Sequence, residues 1–118
     1  FSEYGQVPDP VTKRKPLHWF ALDETQPPFF FAGIWTPWHG TRGSMKTPRI
    51  GAHELFAFLT CEPNAVVKRV HPKAMPVILT TKDEIEMWLT ADWSIAGALQ
   101  RPLADDALRI ITAPTRPA

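Results

Sequence analysis

Thirteen prolines are spread along the 118 residues of this chain, and no other feature narrows its fold so much. A proline inside a helix costs about 3 kcal/mol, because it lacks an N–H and its ring meets the preceding turn. A helical bundle is therefore excluded, and short strands joined by fixed turns are expected. Residues 5–16 read as a polar connection, 17–22 as a strand, 23–28 as a turn, and 29–35 as a buried strand. The two strands are expected to pair as an antiparallel hairpin. Residues 36–52, with Gly40, Gly43, Pro48 and Gly51, read as an extended loop, and 53–60 as a third strand. Asn64 is placed to cap a short helix over 65–70, residues 76–80 form a fourth strand, and Thr80 or Thr81 caps a helix over 82–89. In that helix Asp83, Glu84 and Glu86 suit the N-terminal dipole, and Ile85, Trp88 and Leu89 share one apolar face. A helical turn or two over 93–99 and a strand over 108–112 follow, and residues 113–118 trail off. Strands and helices mix without a βαβ rhythm. The expected class is α+β, with a mainly antiparallel, barrel-like mixed sheet and a few short helices.

Five Trp and seven Phe in a chain that is 44% hydrophobic supply enough apolar surface for one core. Trp88 is expected in that core. Trp35 and Trp38, at the end of an apolar strand, are expected there too, with base stacking as their alternative role. No apolar run approaches the roughly 20 residues of a membrane span, and no secretory leader is visible. The expectation is a cytoplasmic monomer with no membrane partner. The single cysteine, Cys61, excludes an intrachain disulfide and reads as a small packed residue at a strand end rather than a nucleophile.

Net charge is only +1, but its distribution is uneven. Residues 36–82 hold seven Lys/Arg against two acids, whereas residues 83–118 hold six acids against three basic residues. A basic middle of this kind suits a groove that follows phosphates, and ordinary surface scatter would give it as well. The histidines at 18, 39, 53 and 71 show no metal-ligand spacing, so no metal or cofactor is expected. Phosphate-loop, dinucleotide and Gly-x-Ser-x-Gly patterns are missing. Glu3 and His71 remain as titratable candidates for chemistry, far apart in sequence.

Four segments, in order, carry a resemblance. They are Phe1-Ser2-Glu3-Tyr4, Phe31-Ala32-Gly33-Ile34-Trp35 followed by Trp38, Leu59-Thr60-Cys61-Glu62-Pro63-Asn64, and Val70-His71-Pro72-Lys73-Ala74-Met75-Pro76-Val77-Ile78-Leu79. Together they resemble the SOS response-associated peptidase family through about residue 90. The sequence departs from the commoner pattern at Ser2 and Tyr4, where Tyr and Trp are usual. It also departs in placing Met75 four rather than three residues after His71.

The resemblance implies that residues 1–118 form the C-terminal part of a single domain, preceded by a segment bearing an N-terminal Cys that self-processing exposes. It implies that this Cys captures the aldehyde of an abasic site in single-stranded DNA, first as a Schiff base and then as a thiazolidine crosslink. It assigns Glu3 as the acid/base beside the amine and His71 as the group that handles the sugar oxygen. Thr60 and Lys73 take phosphate-contacting positions. Phe1 offers an amine without a thiol, so the chain from Phe1 onward is expected to form no stable crosslink alone. The alternatives are a non-catalytic nucleic-acid or protein binding module of the same fold, and a protease acting on other proteins. No Ser/His/Asp set supports the second.

Overall fold

The computed structural model describes residues 1–112; the expected tail over 113–118 lies outside them. Nine short strands and three short helices run in the order β1 (Ser2–Tyr4), β2 (Leu17–Ala21), β3 (Phe30–Phe31), β4 (Gly33–Gly43), β5 (Pro48–Phe58), β6 (Thr60–Cys61), α1 (Ala65–Lys68), β7 (Met75–Pro76), β8 (Ile78–Leu79), α2 (Lys82–Thr90), α3 (Trp93–Ala96) and β9 (Arg109–Ile111). Single 3-10 turns at Gly97–Leu99 and Asp105–Ala107 complete the chain. The class is α+β, and every strand pair among the described residues is antiparallel. The strands form one three-stranded sheet, β1-β2-β9, and three two-stranded ladders, β3-β8, β4-β5 and β6-β7, rather than a closed barrel.

The three ladders are stitched together at one point. Each of three chain segments changes partner where a single residue interrupts it: Ala32 between β3 and β4, Leu59 between β5 and β6, and Val77 between β7 and β8. The amide of Ala32 donates to the Val77 carbonyl (2.9 Å), that of Val77 to Leu59 (3.0 Å), and that of Leu59 to Ala32 (2.9 Å), closing a ring of main-chain hydrogen bonds. This satisfies the polar groups that the partner changes would otherwise leave bare. Ala32 and Val77 are fully buried there.

On one side of the ring Leu79, Leu99, Ile85 and Trp88 pack, and the Trp88 indole N–H donates to the Gly33 carbonyl at 2.9 Å. Trp88 is thus half-buried in the core, as expected, whereas Leu89 is exposed. The larger core cluster joins Phe20, Val66, Val67, Val70, Met75, Ile78, Leu103 and Leu108. The Asn64 cap of α1 and the Thr81 cap of α2 form as the sequence indicates, the latter as a capping box with Glu84.

Three expectations are corrected. β2 pairs with β1 and β9 rather than with the 29–35 strand, whose own partners are β8 and β5. Residues 36–52 are not a loop: eleven cross-strand pairs run from Gly33↔Phe58 to Gly43↔Pro48, so the region is a long hairpin arm. Pro37 is tolerated because each strand of a two-stranded ladder keeps one edge that needs no donor. Finally, Trp35 and Trp38 are exposed rather than core, since the arm is one ladder thick and no other element covers its faces among the described residues.

Candidate active site

β1 forms the edge of the three-stranded sheet, with Glu3 directly opposite His18 on β2. The ladder extends one residue back, where the Phe20 amide donates to the Phe1 carbonyl at 2.7 Å. The Phe1 ring stacks on Phe20, centroids 4.9 Å apart at 17°, and meets Phe31 edge-on at 5.6 Å. Two residues apart on an extended chain, Phe1 and Glu3 share a face, so the aromatic anchor at Phe1 fixes the side on which the carboxylate stands.

His71 comes from a different part of the fold. It leaves α1 through a turn in which its amide donates to the Val67 carbonyl at 2.8 Å. The exposed bend at Pro72 and Lys73 brings Ala74 back, so that the His71 Nδ1 lies 2.9 Å from the Ala74 carbonyl oxygen. The Ala74 amide lies 3.4 Å from the same nitrogen and would need Nδ1 as acceptor. The two contacts compete, and the shorter one decides: the proton is assigned to Nδ1, which leaves Nε2 with its lone pair in the neutral ring.

Glu3 and His71, 68 positions apart in sequence, line one cleft of about 250 Å³. Its other walls are Phe1, Ser2, Phe31, Phe58, Thr60, Ala74, Met75 and Pro76. Phe31, Phe58, Thr60 and Pro76 each flank one of the three residues of the hydrogen-bonded ring, so the floor of the cleft is the open side of that junction. The volume lies below the roughly 300–1,000 Å³ of pockets for larger ligands. It suits a single small group.

Thr60 lines the cleft, and its carbonyl accepts from the Gln100 side chain at 3.0 Å. Lys73 stands exposed on the neighbouring bend and is not among the lining residues. Cys61 is half-buried between the two core clusters, and burial pushes its thiol above the usual range, against the opposing pull of Arg101. Its place at the end of β6 is the strand-end position that its sequence context indicates. Ser2, Phe31 and Phe58 line the cleft without having been candidates; Ser2 and Phe31 fall within two of the segments that carry the resemblance, whereas no local sequence signal marks Phe58.

Another hollow, of about 480 Å³, lies on the β4–β5 arm between Ile34, Thr36, Arg42, Leu55 and their neighbours. It is lined by Arg42 and Glu54 but by no imidazole, whereas Glu3 and His71 both line the smaller cleft. No group of three His, Cys, Asp or Glu side chains able to hold a metal occurs among the described residues.

No curated relative matches the chain. The family model described as SOS response associated peptidase (SRAP) matches residues 4–116, which include Thr60, His71 and Lys73 and begin immediately after Glu3. With nearly its whole length matched, the chain belongs to the SOS response associated peptidase family.

Proposed function

We propose that residues 1–118 form the C-terminal part of a single domain that captures abasic sites in single-stranded DNA, with Glu3 and His71 as its acid–base pair. The observation that carries the reading is the convergence of these two side chains on one small cleft that Thr60 also lines. The nucleophile in this reading is an N-terminal Cys on the segment preceding Phe1, freed by self-processing.

The chemistry asks for two proton transfers that the cleft can supply. Opening the sugar to its aldehyde requires a proton on the ring oxygen. An imidazole whose Nδ1 is engaged by the Ala74 carbonyl can hold and release that proton at Nε2. Attack of the Cys α-amine on the aldehyde gives a carbinolamine. The Glu3 carboxylate takes the ammonium proton and returns it to the departing hydroxyl, so the Schiff base forms with loss of one water. Addition of the thiol across the C=N bond then closes the thiazolidine, with no further group lost. Thr60 beside the cleft and Lys73 on the adjacent bend serve as phosphate contacts that read no sequence.

The test uses the full-length protein and an abasic single-stranded oligonucleotide, scored by a heat-stable shifted band. Glu3→Gln and His71→Gln are each expected to slow crosslinking by about 100-fold or more, with DNA binding retained. Unchanged crosslinking in both variants removes the acid–base reading. Binding without any crosslink in the wild-type protein favours a non-catalytic module instead.

A further inference from the structure

The β4–β5 arm carries chemistry that the cleft does not use. Between Gly33 and Phe58 the sequence has three Lys/Arg, at Arg42, Lys46 and Arg49, and one acid, Glu54. The cross-strand register places Arg42 directly opposite Arg49 and Trp38 opposite His53. By the alternation of the ladder these four positions share one face and Glu54, paired with Pro37, falls on the other, although Glu54 and Arg42 both border the hollow on the arm. Like charges facing each other across a ladder are destabilising. Neither arginine has an ion-pair partner among the described residues, where Arg101–Glu84 and Arg109–Glu24 are the ion pairs formed. An arrangement that costs stability and has no internal partner calls for an external anion.

The same face presents a flat ring. The Trp38 indole lies across Gly40, where even a β-carbon would fall 2.3 Å from the ring, so only glycine lets it lie down. His53 stands beside it, ring centroids 6.1 Å apart at 32°. Its Nε2 lies 3.2 Å from the Gly40 carbonyl and 3.0 Å from the Arg49 carbonyl, which pins both strands at this point. Gly51, opposite Gly40, adopts φ +133, and a β-carbon there would have nothing within 4 Å. Trp38 itself is 41% exposed.

We propose that this face is a second binding surface, a platform for an undamaged stretch of single-stranded polynucleotide, with a base stacked on Trp38 and phosphates held by Arg42 and Arg49. A flat exposed ring next to unpaired guanidinium groups matches the alternation of base and phosphate along such a strand, whereas an acidic peptide would use the cations but not the ring. The proposal extends the abasic-site reading to another part of the molecule and does not depend on the Glu3–His71 chemistry.

The experiment measures binding of the full-length protein to a thymidine oligomer of about 16 residues without abasic sites, by fluorescence anisotropy across a salt series. Trp38→Ala should weaken binding about 5- to 100-fold and Trp38→Phe should restore most of it. The double change Arg42→Gln with Arg49→Gln should lower the slope of log K against log salt by about 1.4. All substituted positions are exposed, and circular dichroism confirms that each variant is folded. Wild-type affinity and slope in both the Trp38→Ala and the double-arginine variants overturn the proposal. So does displacement of the oligomer by polyglutamate at equal charge concentration, which would make the partner an acidic peptide. Crosslinking of an abasic oligomer is scored separately on the same variants, so failure of the crosslinking chemistry and failure of the platform give separate results.

Discussion

Asn64 shows how much one side chain can hold at the residue scale. It is 5% exposed, the buried polar residue of the described core, and all its polar atoms are occupied. Its Oδ1 accepts from the Val67 amide at 2.9 Å, capping α1, and its Nδ2 donates to the Leu103 carbonyl at 2.9 Å, tying the segment before β9 to the helix. Asn64→Ala removes the cap and strands a buried carbonyl. The expected loss is about 2 kcal/mol, or about 10 °C in Tm, by thermal unfolding. Asn64→Asp keeps the cap but loses the donor to Leu103, so it should rescue only part of that loss. The cap was legible in the sequence because capping is local chemistry. The Leu103 bond was not, because nothing at position 64 announces a partner 39 residues away.

The same division holds for whole elements. The start of α2 could be read directly from Thr81 and Glu84, and it forms as a reciprocal capping box. Glu84 also accepts from the Thr80 and Thr81 amides at 2.9 and 3.2 Å, and from Arg101 at 2.6 Å. Partial burial pushes its carboxyl up, but the two amides and the Arg101 guanidinium together outweigh burial and hold it below its ordinary value of 4.5. A carboxylate depressed by folding stabilises the native state above that ordinary value, and the contribution is lost as pH falls through the lower folded value. Wild-type Tm should therefore drop on acidification below about pH 4.5, and Glu84→Gln should be less stable at neutral pH but converge on wild type in acid. A constant gap between the two curves from pH 7 to 3 would contradict this.

Strand partners were much less legible than helix caps. The aromatic content of β2 and of residues 29–35 suggested a hairpin between neighbours, yet Phe1 and Ile111 bring β1 and β9 alongside β2 instead. The glycines and polar residues of 36–52 imitate a loop because a ladder with no sheet packed on it needs no alternating apolar face. The positions of Glu3 and His71 in a shared cleft followed from motif resemblance, not from any spacing in the chain.

At the scale of the molecule, the three-way junction divides the interior. Trp88 and Leu99 pack on one side, and the Glu3–His71 cleft opens on the other. Ala32 is fully buried there, so a larger side chain has nowhere to go without moving a strand. Ala32→Leu should cost about 1–3 kcal/mol in urea unfolding. If the proposed capture of abasic sites holds, it should also slow that reaction through displaced cleft walls, whereas Phe56→Ala, 72% exposed on the arm, should stay within about 0.5 kcal/mol of wild type. Equal losses from the two would mean that the junction is no tighter than the surface.

The amides and carbonyls that close the ring belong to the main chain, which every residue type carries alike. The ground beneath the carboxylate and the imidazole is therefore set by main-chain atoms, provided the side chains packed at the junction still fit. A change of side chain on the rim, at Ser2 for example, leaves those main-chain bonds in place.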